Sequence, residues 1–365
     1  MNTRNNTHMK RILFAAVLLV AFNAAVTAQT TTYTPGVSAD GAVYFLPKTV
    51  LRVAIRVETT VYTPGELCKY AEKYLKMKDV SQEPSTTCRV VAMDLTTYGV
   101  ADTAKCYTMK LNPKSAATNV RLSDGGVLLA INTDPKKMET PVVFAPSKRE
   151  EQVNPKQYLN EEILEAGSTA KTAELTALEI YDIRDSRNML TRGQADFMPT
   201  DGEQLRLMLA QLDKQDRALT SLFTGTTVTD TAEYVVEICP EDEIDKVCFF
   251  RLSNKLGVVD NDDLAGAPFY ISVDDMHAVP AAGAPADGGK KSAKTEGVYV
   301  NVPGKVRVTI YQGVVEAGCW DIYAAQFGYV DLLSNDLFYK HPATKLTLNP
   351  ATGSILKLDA ELPTK

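Results

Sequence analysis

Two cysteines separated by an acidic turn are the first residues in this chain whose spacing could do chemistry. In EICPEDEIDKVCFF, Cys239 and Cys248 flank Glu241, Asp242, Glu243 and Asp245. A zinc site would need further Cys or His ligands at short spacing, and none is near. A redox pair would need Cys-x-x-Cys, which is absent. YVVEIC and KVCFFRL both carry strand-type residues, so the segment reads as a β-hairpin whose inner ends bring the sulfurs within bonding range. Closing such a loop contributes about 2.7 kcal/mol in the chain-entropy model. The expectation is a Cys239–Cys248 disulfide, with the pairing of Cys68, Cys88, Cys106 and Cys319 left open.

VVDNDDLAG gathers Asp260, Asn261, Asp262 and Asp263. Oxygen ligands at alternate positions suit Ca²⁺, yet an EF-type loop wants Gly at its sixth place and Glu at its twelfth. Ala265 and Ile271 occupy those places, so Asp260, Asp262 and Asp263 are weak metal candidates in what reads as a solvated turn. GAPADGGKKS imitates a phosphate loop until counted: Ala284 sits where the first Gly belongs and Lys291 where the hydroxyl belongs. His277, beside Asp274 and Asp275, and His341, before Pro342, leave little for Ser-His or Cys-His catalysis. There is no G-x-S-x-G elbow. No cofactor is implied. Paired carboxylates could still support glycoside hydrolysis, although Trp320 is the sole tryptophan.

The elements that position these residues are legible in part. VLRVAIRVETTVY puts Leu51, Val53, Ile55 and Val57 on one face and Arg52, Arg56 and Glu58 on the other, a half-buried strand. TPGE then predicts a helix over ELCKYAEKYLK, with Thr63 as cap, Pro64 in the first turn and Glu66 completing a capping box. TCRVVAMDL, KCYTMKL and GVLLAIN read as separate strands. Residues 135–160, broken by Pro135, Pro141, Pro146 and Pro155, read as a linker. A helix from about Glu161 to Leu190 and a second from about Glu203 to Phe223 follow, the second opened by a Thr200–Glu203 capping box. On it Leu205, Leu209, Leu212, Leu219 and Phe223 keep a 4-3-4-3 spacing broken only by Asp216, a coiled-coil-like seam. Leu175, Leu178, Ile180, Ile183 and Leu190 face it, and the short connection makes the pair antiparallel. Beyond Gly225, AEYVVEIC, KVCFFRLS, APFYISV, GVYVNV, KVRVTIYQG, the segment from Lys345 to Asn349 and SILKLD are short strands of a sandwich or open barrel. They are interrupted by a low-complexity loop at 277–296. The predicted class is therefore α+β: mainly antiparallel β regions around a central two-helix antiparallel hairpin. Its parts are residues 1–28, 29–134, 135–160, 161–224 and 225–365.

The first of those parts is a leader. Lys10-Arg11, the apolar run Ile12 to Phe22 and the small-residue end Val26-Thr27-Ala28 read as a secretory signal cut before Gln29. The run is too short for a membrane span, and no other stretch is apolar enough. Removing Arg4, Lys10 and Arg11 takes the formal charge from −6 to −9, which argues against nucleic acid as a partner.

VYFLPKTVLRVAIRVETTVYTPGELCKYAEKYL, ALEIYDIRDSRNML, DGEQLRLMLAQL, LTSLFTG and FFRLSNKLGVVDNDDLAGAPFYI together resemble an uncharacterised domain-of-unknown-function family of exported Bacteroidota proteins. The resemblance rests on overall pattern and transfers no functional residue. It implies a periplasmic or outer-membrane-associated location. It also implies O-glycosylation at Asp-Thr-Ala triplets, with Thr103 and Thr231 as acceptors. The leading expectation is a non-enzymatic envelope protein that binds another envelope protein through Leu205, Leu209, Leu212, Leu219 and Phe223. The alternative is a carboxylate-dependent hydrolase of envelope glycan or peptide.

Overall fold

The computed structural model describes residues 35–37, 41–110, 119–137, 144–146, 153–199, 201–279, 297–334, 336–339 and 344–359. The leader at 1–28, His341, Thr200 and residues 280–296 of the low-complexity loop lie outside them. The first strands are β1 (Gly36–Val37), β2 (Gly41–Thr63), β3 (Ser85–Lys110), β4 (Val120–Leu122) and β5 (Leu128–Ile131). Helices α1 (Glu161–Leu164), α2 (Thr169–Arg192) and α3 (Gly202–Thr224) follow. Next come β6 (Thr226–Ile238), β7 (Ile244–Ser253), β8 (Gly257–Val259), β9 (Ala267–Asp275), β10 (Gly297–Gln312) and β11 (Val315–Ser334). The short helix α4 (Asp336–Tyr339), β12 (Lys345–Leu348) and β13 (Ile355–Asp359) are the last described elements.

Strand dominates, at 50% against 24% helix, so the predicted α+β class organised on a central hairpin is corrected to a mainly antiparallel β protein. The reason lies in strand length. TCRVVAMDL and KCYTMK belong to one strand of 26 residues, β3, because the TTYGVADTA between them supplies three Thr, a Tyr and a Val, which favour the pleated surface. The 20-residue β11 escaped the sequence pattern altogether, since Gly318, Ala324, Ala325 and Gly328 dilute its alternation.

Three antiparallel sheets form among the described residues. In the first, β2 pairs with β3 along its whole length and with β1 and β6 on its other edge. The second has the order β11-β10-β9-β7-β8 and the third β13-β12-β5-β4. Leu51, Val53, Ile55 and Val57 are buried as their alternation requires, against Phe250, Ile271, Val306 and Val308 of the second sheet. Arg52, Arg56 and Glu58 face the other way, pairing with Glu237, Asp94 and Arg89. A second core gathers Tyr44, Leu46, Leu128, Ile131, Val298 and Leu346.

β2 and β10 run through both cores and change direction where their registers slip, between Phe45 and Pro47 and between Val302 and Gly304. Pro47 and Pro303 lack the N–H that a continuous ladder needs. At the junction the Tyr44 hydroxyl accepts from the Tyr299 amide at 2.8 Å and donates to the Tyr299 carbonyl at 3.2 Å. Nearby, the Gln326 amide bonds both the N–H and the C=O of buried Thr49. The Asn301 amide donates to the carbonyls of Pro47 and Thr352. These side chains bond backbone groups near the places where β6 stops pairing with β2, at Leu51, and β9 stops pairing with β10, at Val306.

The predicted Cys239–Cys248 hairpin does not form. β6 joins β2 in the first sheet while β7 joins β8 and β9 in the second. β6 thus takes in β2 a partner of 23 residues, against the 10 that β7 could offer. The two cysteines are free, as are Cys68, Cys88, Cys106 and Cys319. Cys239 sits in the junction, where its thiol accepts from the Gln326 amide, and Cys248 stands opposite Tyr270 on β9.

Helical expectations need similar correction. ELCKYAEKYLK forms a short 3₁₀ turn at Cys68–Tyr70 and a π turn at Ala71–Leu75, with no side-chain cap. Thr63 is spent as the last residue of β2, and Glu66 instead pairs with Lys156. The first long helix breaks at Glu165–Ser168, where Ser168 caps α2 through the Lys171 amide. Asp201 caps α3 by accepting from the Glu203 amide. No helix among the described residues is long and apolar enough to cross a membrane.

Candidate functional site

The α2–α3 pair is antiparallel as its short connection requires, held in register by Arg184–Asp216 and Arg187–Asp213. The Arg184 guanidinium bridges both Asp216 oxygens at 3.1 Å and reaches the Thr220 hydroxyl. Asp216, the one residue that breaks the apolar spacing, is thus the anchor of an interhelical charge pair.

The five seam residues divide by depth. Leu219 and Phe223 are 0% exposed, packed with Ala177, Ile180, Leu67 and Ala71. They are core, and the expectation that they touch a partner is corrected. Leu212 packs half-buried against the same cluster, and Leu205 and Leu209 are half-buried nearer the tip. Gly65 explains how the base is fixed. A Cβ there would meet the Leu222 carbonyl oxygen at 2.1 Å, so only glycine lets the end of β2 lie against α3.

Toward the tip the surface changes character. Phe197 is 89% exposed and Leu207 59%, with Met198 and Met208 also open to solvent. Phe197 and Met198 stand in the loop between the helices and Leu207 and Met208 near the start of α3; single exposed apolar side chains are ordinary, but several at one end of a hairpin suit a contact surface. The flanks are polar: Arg206 bonds Glu203 and holds its carboxyl below the ordinary value, while Arg192 closes α2 ahead of Gly193, whose φ of 70° ends that helix. Sequence reasoning passed over Phe197 and Leu207 because it followed the heptad seam. The signal was there in the adjacent Phe-Met of a polar loop and in LRLML, apolar on more than one face.

The remaining sequence candidates are not drawn together. Asp260, Asp262 and Asp263 lie exposed in the turn between β8 and β9. There the Asp263 carboxylate accepts from the Ala265 amide, and Arg251 donates to the Asn261 carbonyl. Among the described residues no three His, Cys, Asp or Glu converge as metal ligands. His277 is exposed and bonds Asp275, its near neighbour in the chain. Thr103 is exposed within Asp102–Lys105, the residues of β3 that bulge out opposite Leu46. Thr231 is half-buried on the edge strand β6, opposite Glu58.

Fold and surface together define a mainly antiparallel β protein that carries a helical hairpin with an apolar tip. The chain belongs to the family of the domain of unknown function DUF4831, whose model matches residues 40–356. This bears out the family resemblance drawn from the sequence segments. Neither the curated proteins nor the solved structures yield a match to this chain.

Proposed function

We propose that this is a non-enzymatic protein of the cell envelope that binds another protein through the tip of the α2–α3 hairpin. The observation that carries the reading is the exposure of Phe197 and Leu207 at the end of a hairpin whose base is locked into the core. Phe and Met are enriched at the centres of protein contacts, and Met adapts its shape to a partner. The partner that suits such a convex tip has an apolar groove with a polar rim. Export rests on Lys10-Arg11, the run Ile12–Phe22 and Val26-Thr27-Ala28. The exposed bulge holding Thr103 suits an O-glycan better than half-buried Thr231 does. An intact mass of the exported protein lacking hexose-sized increments would remove the glycan from this reading.

The binding test places a photo-crosslinking amino acid at Phe197 in the exported protein, with Leu264, exposed in the β8–β9 turn, as a control position. The expected result is a single adduct of defined mass from the Phe197 position, reduced at least tenfold by Leu207→Ser. The same adducts from both positions, or adducts indifferent to Leu207→Ser, would refute a tip-directed partner.

A further inference from the structure

The third sheet ends at β13, a strand whose five residues are all exposed. Among the described residues β13 pairs only with β12, so its outer edge offers unpaired N–H and C=O groups. One apolar row crosses the sheet rung by rung: Val120 stands opposite Ile131, Ile131 opposite Leu346 and Leu346 opposite Leu358. Ile131 and Leu346 are 0% exposed, whereas Leu358 is 38% exposed. The row thus reaches the edge and stops there uncovered, with Ile355 and Leu356 exposed on the same strand. Charged side chains, lysine above all, commonly guard such an edge. Here the one lysine of β13, Lys357, is neutralised by Asp359 at 2.6 Å. Both alternate with Leu358 and so lie on the opposite face from the apolar row.

We infer that this edge pairs with the same edge of a second copy of the chain, antiparallel about a two-fold axis at Leu358. Two requirements select that register. Residues directly opposite in an antiparallel pair share a face, so the apolar row continues into the second copy only if Leu358 meets a residue of its own face. That leaves two-fold axes at Lys357, at Leu358 or at Asp359. The first sets lysine against lysine and the third carboxylate against carboxylate, and like charges directly opposite are destabilising. At Leu358 the leucine meets its own copy, and each Lys357 meets the Asp359 of the other chain, twice by symmetry. The order Lys-Leu-Asp is thus self-complementary when read antiparallel. Such an isologous contact closes at two chains. With five residues a side it is smaller than a standard interface, so the dimer is reversible. It uses no residue of the helical hairpin and does not depend on the protein-binding reading.

Sedimentation velocity of the full mature chain, from about 1 µM to about 300 µM, tests the pairing over the range suited to a small interface. The expected result is a monomer–dimer equilibrium with no larger species. Lys357→Asp alone and Asp359→Lys alone should each weaken dimerisation at least about tenfold, because each sets like charges together in both contacts. Mixing the two variants in equal amounts should restore association to within about threefold of the parent, since acid then meets base again. That recovery also shows that both variants are folded. Leu207→Ser should leave the equilibrium unchanged, separating this edge from the hairpin tip. A chain that stays monomeric across the range, association indifferent to both charge changes, growth beyond the dimer, or no recovery on mixing would each overturn the assignment.

Discussion

Replacing Tyr44 by Phe removes one oxygen atom and should uncover how the two β cores are joined. In an antiparallel ladder the N–H and C=O of alternate residues point off the same edge, and at Tyr299 both groups meet the Tyr44 hydroxyl. β9 pairs β10 only from Val306 onward, so the phenol does locally what a neighbouring strand would do. The substitution leaves the ring in place but strands a backbone donor and an acceptor beside a side chain that is fully buried. Each unsatisfied group costs roughly 1–3 kcal/mol. Tyr299 is half-buried and can regain some hydration, so the expected loss is about 2–4 kcal/mol by the same reckoning. Urea unfolding measures it, with Tyr323→Phe, at an exposed site on β11, as the control for removing a hydroxyl. A loss below about 0.5 kcal/mol, the scatter of ordinary surface changes, would refute the clamp. The same residue has a pH signature. Burial pushes its phenol above the ordinary value near 10, so the neutral form is favoured in the folded chain. Its contribution is therefore complete below pH 10 and declines as pH rises above it, because the unfolded chain ionises first. Tyr44→Phe should flatten the alkaline fall of stability; an unchanged slope above pH 10 would contradict the assigned role.

The two ends of the helical hairpin should respond oppositely. Leu219→Ala should cost roughly 2–5 kcal/mol in urea unfolding, whereas Leu207→Ala should stay within about 0.5 kcal/mol of the parent. Asp216→Ala should destabilise by about 1–2 kcal/mol, since it removes the carboxylate that accepts from the Arg184 Nε. The double change Arg184→Met with Asp216→Leu should recover that loss by restoring an apolar seam, as thermal melting would show. Alkylation in denaturant without reductant should label all six cysteines. In the native protein exposed Cys319 should react fastest and buried Cys88 slowest, and a mass deficit corresponding to one closed pair would show that a disulfide forms.

Some of this molecule was legible in its residues. The alternation of Leu51, Val53, Ile55 and Val57 fixed both the strand and its buried face, because a period of two has only one way to bury every second side chain. The antiparallel helix pair followed from a short polar connection between apolar spacings, and the family from the pattern of several segments. What the sequence could not decide was partnership. YVVEIC and KVCFFRL look like one hairpin, yet β6 and β7 enter different sheets, because a strand's partner is chosen by the length and apolar face of every other strand in the molecule. The same holds for the seam: its apolar spacing runs from Leu205 to Phe223 with a single break at Asp216, and only packing against Leu67, Ala71 and Leu75 makes one end core and leaves the other at the surface. Local periodicity is written residue by residue. Which faces become interior is a property of the assembled fold, because burial depends on what the rest of the chain brings alongside.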